Sequence, residues 1–289
     1  MTPEIEARAR HFVENERQFH LGFLPTEQSN PKTRHLDRAF AAAAADGVRL
    51  LLSVDRDIVP MARRVLASAP FQALENALFA SLAGGGRVVF SGCGATGRLS
   101  ILLESIWRQS LRDLAAARPD LADRLAPLQD RVLSIMTGGD YALVKSVESF
   151  EDYEVFGRRQ AADMGLGPGD ALVGITEGGE TSSVIGTVEA AAERGAAVFL
   201  LFNNPADILA ARLERCRRVL ANPRVTAIDL FCGPMAVAGS TRMQATTAEQ
   251  LVADCYQDIA ITEAEYTALA AQVEAAFDER LASRSEELA

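Results

Sequence analysis

The residues best suited to chemistry in this chain lie in two glycine- and hydroxyl-rich segments, SGCGATGR (91–98) and TEGGETSS (176–183). In the first, Gly92, Gly94 and Gly97 permit close backbone approach and Thr96 adds a hydroxyl donor. The segment then runs into a helical pattern whose opening N–H groups favour an anion. The second sets Gly178 and Gly179 among Thr176, Thr181, Ser182 and Ser183, again ahead of a helix. Two such loops suit a phosphate carried on a polyhydroxylated sugar. For either loop alone, ordinary helix capping by Ser and Thr is the competing explanation. Neither has the Gly-Lys-Ser/Thr of a P-loop. The three glycines of the first satisfy G-x-G-x-x-G, but Ser134-Ile-Met-Thr-Gly-Gly stands where a dinucleotide site needs an acid, which disfavours a nicotinamide cofactor.

Two further clusters carry charge. Residues 137–154, TGGDYALVKSVESFEDYE, hold Glu148, Glu151 and Asp152, with Lys145 nearby. Helical spacing puts Glu148 close to Glu151, and paired carboxylates can raise one pKa toward a general acid or base. The same pattern also describes a solvated acidic face. Residues 233–252, GPMAVAGSTRMQATTAEQLV, place Arg242 at the mouth of an amphipathic helix. Its fork can grip two phosphate oxygens, or it is an ordinary first-turn residue behind a Ser240 or Thr241 cap.

The elements that would position these groups follow from the hydrophobic pattern. Five short apolar runs, 88–92, 132–137, 171–176, 197–203 and 227–232, are continuous rather than alternating, as in strands buried on both faces of a parallel sheet. Helical patterns over 98–116, 151–164, 182–194 and 206–213 separate most of them. This predicts an α/β fold, a doubly wound five-stranded parallel sheet flanked by helices, with ligands at the carboxyl ends of the strands. Before it, helices are expected over 3–18, 35–45, 48–69 and 71–82, with an irregular stretch at 21–34 around Pro25, Asn30 and Pro31. After it, 241–261 and 263–288 read as helices. The expected division is therefore a helical segment at 1–80, the sheet domain at 81–240 and C-terminal helices at 241–289.

Composition narrows the functional classes. Of 289 residues, 48% are hydrophobic, and the net charge of −10 repels nucleic-acid backbones. Cys93, Cys216, Cys232 and Cys255 lack C-x-x-C spacing, and the three histidines lie near the N-terminus without a carboxylate cluster, so neither metal nor cofactor is expected. The acidic N-terminus does not read as a signal peptide, and no apolar run reaches the length of a membrane helix. A cytoplasmic location is expected.

Several motifs, in order, resemble the sugar isomerase (SIS) domain family, in the branch of N-acetylmuramic acid 6-phosphate etherase and the glucokinase regulatory protein. They are LPTEQSNP (24–31), GCGATGRL (92–99), TGGDYAL and VESFED within 137–152, GITEGGETSSVIG (174–186), FNNP (202–205) and AGSTRM (238–243). The resemblance implies a five-stranded parallel sheet and a phosphorylated sugar or amino sugar as ligand. It implies a second SIS domain as partner, supplied by a homodimer or by a longer two-domain chain. Gly94, Thr96, Gly97, Thr176, Gly179, Thr181, Ser182 and Arg242 would bind the sugar phosphate, with Glu148 and Glu151 facing the sugar. In the etherase one glutamate removes the proton beside the carbonyl carbon and another protonates the departing lactate. Glu151 matches the proton abstractor, whereas the other position is Ile106. The etherase's serine and arginine in the third-strand loop correspond to Gly178 and Glu180, and its lysine after S-T-R-M to Gln244. These departures favour a regulator- or sensor-like sugar-phosphate binder. The alternatives are an active lyase of the etherase type, or an isomerase.

Overall fold

The computed structural model describes residues 2–16, 19–240 and 242–254, excepting the side chains of Glu148 and Ser149. Five strands, β1 (Val88–Gly92), β2 (Val132–Met136), β3 (Ala171–Thr176), β4 (Ala197–Phe202) and β5 (Val225–Asp229), form one all-parallel sheet in the order β2-β1-β3-β4-β5. The expected fold class is the observed one. The helices are α1 (Pro3–Asn15), α2 (Leu36–Ala42), α3 (Ala44–Leu52), α4 (Ile58–Leu66), α5 (Ala69–Ala83), α6 (Ala95–Ala117), α7 (Ala122–Leu125), α8 (Tyr141–Val144), α9 (Glu148–Glu151), α10 (Glu154–Asp163), α11 (Ser182–Glu193), α12 (Ala206–Arg212), α13 (Glu214–Leu220) and α14 (Gln244–Ala253). None of them is long and apolar enough to cross a membrane.

Strand residues alternate between two cores, one on each side of the sheet. Val88, Phe90, Val173, Ile175 and Leu201 pack under α4, α5, α6 and α14. Val89, Leu172, Leu200 and Phe202 pack under α10, α11, α12 and α13. Because both faces are covered, the strands read as unbroken apolar runs. The second layer is drawn in by two glycines. A Cβ on Gly157 of α10 would lie 1.7 Å from the Ser183 carbonyl oxygen, and one on Gly186 of α11 would lie 2.1 Å from that of Glu154. The two helices therefore touch backbone to backbone. Charge then clamps them: buried Glu189 accepts from Arg158 at 2.7 Å and from Arg218 of α13 at 2.6 Å, and Arg218 also reaches Glu154 at 2.7 Å.

The structure departs from the sequence pattern where burial is one-sided or a turn intervenes. Strand β5 begins at Val225 rather than 227, because an edge strand is only partly buried and Thr226 breaks its apolar run. The expected 48–69 helix is two helices, interrupted where Asp55 accepts from Gln244 of α14 at 3.0 Å. The expected 151–164 helix is split by an extended Tyr153 into α9 and α10. Helix α13 was not anticipated at all. Residues 255–289, including the expected 263–288 helix, lie outside the described residues.

Candidate functional site

In the order β2-β1-β3-β4-β5 the winding reverses between β1 and β3, and a crevice opens at that switch point beyond the strand ends. A cavity of about 460 Å³ lies there. Its walls come from the loops after all three neighbouring strands: Cys93, Gly94, Ala95 and Arg98 after β1, Met136, Thr137 and Ser146 after β2, and Glu177, Gly178, Glu180 and Thr181 after β3. Glu151 and Arg242 complete it. A hollow of about 860 Å³ lies between α1 and the start of α11, but α1 buries no residue and no residue of the loop directly after β1 lines it. The switch-point cavity is the better site.

The loop after β1 is built by its own backbone. A Cβ on Gly92 would come within 2.3 Å of the Thr96 carbonyl carbon, so only glycine lets the chain fold back so tightly. The Cys93 N–H donates to Thr96 Oγ1 at 2.9 Å, and the Thr96 hydroxyl donates to the Cys93 carbonyl at 2.8 Å. Thr96 is thus a buried brace of the loop. Gly94, in the left-handed region at φ +56°, turns the chain into α6, whose opening N–H groups lack i−4 partners, as at any helix start. Gly97 packs against Met136 and the Gly92 carbonyl beneath the cavity floor.

The loop after β3 is a second brace. Thr176 and Thr181 share a hydrogen bond at 2.9 Å across the turn, with Thr176 buried and Thr181 reaching the cavity. Gly179, at φ +84°, lies against Leu209 and Phe202. Ser182 lines the hollow beside α1 instead of the cavity. Ser183 hydrogen-bonds Thr137 at 2.9 Å, joining the second and third loops. A Cβ on Gly178 would lie 1.9 Å from Glu180 Oε2, so the Glu180 carboxyl occupies the space that any side chain at 178 would need.

The LPTEQSNP segment buttresses this loop. Asn204 of FNNP donates to Thr26 Oγ1 and to the Gly178 carbonyl, both at 2.9 Å, and its Oδ1 accepts from the Thr26 N–H at 3.2 Å. The Gly239 N–H donates to the Thr26 carbonyl at 3.2 Å, tying in the AGSTRM segment. Four motifs far apart in the chain thereby meet behind one loop. Gln244 is buried and holds the Ala236 N–H and Asp55, so it faces the scaffold, away from any ligand.

Carboxyl groups outnumber cations on the cavity wall, with Glu151, Glu177 and Glu180 against Arg98 and Arg242. Glu151 accepts from the Cys93 thiol at 3.3 Å, and burial together with Glu151 pushes that thiol up to about 12. Burial raises the Glu177 carboxyl to about 8, with Glu180 adding to the rise and Arg242 opposing it. Glu180 is likewise raised by burial. Behind Glu177, buried Glu249 of α14 accepts from Asn203 at 2.8 Å and is raised well above its usual range by burial and by Glu177. Arg98 and Arg242 are the cations on the cavity wall, and Arg98 also donates to the Gly94 carbonyl at 3.0 Å.

Among the residues expected to bind or react, Gly94, Thr181, Glu151 and Arg242 therefore meet in the cavity, while Thr96, Gly97, Thr176 and Gly179 shape it from behind. Glu148 opens α9, and its side chain lies outside the described residues. Sequence reasoning missed Glu177 and Cys93, each directly after the apolar run of a strand; for Cys93 that position was a usable signal, whereas Glu177 reads as a solvated acid until the packing of α14 is known. Glu104, two residues before Ile106, accepts from Ser134 at 2.6 Å and from Arg108 at 3.0 Å, so it is committed to the far side of α6.

Known proteins resemble this chain in sequence. An N-acetylmuramic acid 6-phosphate etherase of Bacillus licheniformis is 30% identical over 233 residues, 81% of this chain and 67% of that protein. The chain belongs to the SIS-domain family, in the etherase and glucokinase regulatory protein branch. The N-terminal SIS domain of the glucokinase regulatory protein matches residues 71–192 of this family member. The etherase of a Synechococcus species is 34% identical over 230 residues, 80% of this chain and 63% of the relative. The chain thus spans about two thirds of the length of these relatives. A solved phosphoheptose isomerase from Neisseria gonorrhoeae aligns over 78% of the chain at 17% identity, with a TM-score of 0.47.

Proposed function

We propose that this SIS-domain protein binds a phosphorylated sugar in the switch-point cavity and acts as a cytoplasmic sensor or regulator, paired with a second SIS domain, most simply as a homodimer. The phosphate would sit at the start of α6, where Gly94 and Ala95 expose backbone and Arg98 and Arg242 supply charge. Thr181, Ser146 and Thr137 would take the sugar hydroxyls. The observation that carries this reading is the convergence of three strand-end loops and Arg242 on one polar cavity. The resemblance places the second acid of an elimination where Ile106 stands, and the nearby Glu104 is held by Ser134 and Arg108. That favours binding over lyase chemistry.

One observation supports the lyase as a second reading. Glu177, raised to about 8, keeps its proton at neutral pH in the same cavity as Glu151. Glu151 would take the proton beside the carbonyl carbon and Glu177 would protonate the departing lactate oxygen. Incubation with N-acetylmuramic acid 6-phosphate separates the two readings. Thermal stabilisation without released lactate supports the binder; lactate release abolished by Glu151→Gln and by Glu177→Gln establishes the lyase.

A further inference from the structure

The acidic wall of the cavity is unfinished. Glu177 is only 7% exposed, and the Thr246 hydroxyl eases its charge only weakly, leaving its Oε1 without a close hydrogen-bond partner among the described residues. Glu180 Oε2 is also buried without a partner. Both residues line the cavity, with Glu151 beside them. Glu177 and Glu180 repel one another across the Gly178–Gly179 turn, and Glu249 repels Glu177 from behind. Buried carboxyls are retained when something supplies protons or positive charge to them. Protein cations do so only in part: Arg242 acts on Glu177 and Arg215 on Glu180, while Arg98 and Arg242 are also the groups available to a phosphate. A metal ion is not the natural occupant, since among the described residues no three His, Cys, Asp or Glu side chains converge to hold one.

We propose that Glu177 and Glu180 form a subsite for an ammonium group on the sugar, so that the ligand is a phosphosugar with a free amine rather than an N-acylated or carboxylate-bearing one. This inference rests on the sugar-phosphate reading of the cavity. An ammonium donates to these unpartnered oxygens and takes the place of the proton that burial otherwise keeps on Glu177, so the carboxyl is held ionised beside a positive charge. A hydroxyl in its place supplies a donor without charge. A lactyl carboxylate would instead add a further negative group to a wall where three carboxyls face two guanidinium groups. The close fit of the Glu180 carboxyl over Gly178 marks this acidity as built into the loop.

Calorimetric titration of the full chain at pH 6.5 with glucosamine 6-phosphate, glucose 6-phosphate and N-acetylmuramic acid 6-phosphate tests the inference. The expected order is glucosamine 6-phosphate tighter than glucose 6-phosphate by about tenfold, the size of one charge-assisted hydrogen bond, with N-acetylmuramic acid 6-phosphate weakest. In Glu177→Gln and Glu180→Gln the ratio of the first two falls toward one. Equal affinities for glucosamine and glucose 6-phosphates on the native chain overturn the ammonium subsite while leaving the sugar-phosphate reading standing. A preference that survives in both variants overturns the assignment to these residues. Binding of none of the three overturns both. The native-chain series needs no variant, so misfolding of a substituted chain does not shield the proposal.

Discussion

Replacing Glu177 by Gln removes a group that the fold holds against its own charge. In the folded chain, burial raises this carboxyl from its usual 4.5 to about 8. The folded state therefore binds a proton that the unfolded state releases, and stability contributed by Glu177 at low pH is lost as pH rises from about 4.5 through about 8. At about 1.4 kcal/mol per pKa unit, the penalty grows from roughly 1 kcal/mol at pH 5.5 to roughly 4–5 kcal/mol at pH 8.5. Glutamine keeps the shape and cannot ionise, so it escapes this pH dependence. Because Glu249 shares the burial and repulsion, part of the effect belongs to the pair, and about 3 kcal/mol is an upper bound for the change between the two pH values. Urea unfolding of the native chain and Glu177→Gln at pH 5.5 and 8.5 measures it. The stability gap should widen in favour of the variant by about 2–3 kcal/mol. Parallel stability–pH curves would refute the reasoning, because they would mean that Glu177 titrates normally in the folded chain.

Three other outcomes follow from contacts described above. Gly157→Ala should lower stability by about 1–3 kcal/mol in denaturant melts, since its methyl would collide with the Ser183 carbonyl at the α10–α11 crossing. Gly178→Ser should be destabilising alone because it displaces the Glu180 carboxyl, and less so in combination with Glu180→Ala, which removes that carboxyl; a double-mutant cycle showing plain additivity would contradict that coupling. Cys93, Cys216 and Cys232, all pushed up to about 12, should react with iodoacetamide at pH 8 about a thousandfold more slowly than an unperturbed thiol, as read by mass spectrometry of the native chain.

How much was legible in the sequence depended on how each residue is buried. Strands β1, β3 and β4 are buried on nearly every position, so their apolar runs mark them to within a residue. Edge strand β5 is only partly covered, and its apolar run lies two residues late at the start and three at the end. The glycine loops announced the cavity because close backbone folding at Gly92 and positive φ at Gly94 and Gly179 demand that residue type. Less legible was which hydroxyls face a ligand. Thr96 and Thr176 look identical to Thr181 in sequence, yet both are buried in the scaffold of their loops while Thr181 lines the cavity. Glu177 was overlooked because an acid after a strand ordinarily reads as solvated. Only the packing of α14, which brings Glu249 against it, shows that it is buried. Likewise, the LPTEQSNP segment carries no chemical reading of its own, because the partners of Thr26, Asn204 and Gly239, lie 178 residues or more away along the chain.

The central claim is that the switch-point cavity holds a phosphorylated sugar, and a paired titration tests it most directly. The full chain is titrated with a hexosamine 6-phosphate and with the same hexosamine lacking the phosphate, and both are repeated with Arg242→Ala. The account predicts saturable binding of the phosphorylated sugar at one site per chain, at least tenfold tighter than the unphosphorylated sugar, roughly the worth of a charge-assisted phosphate contact. That advantage should shrink in Arg242→Ala. Equal binding of the two sugars, or a phosphate preference untouched by the loss of Arg242, would contradict the assignment of the cavity.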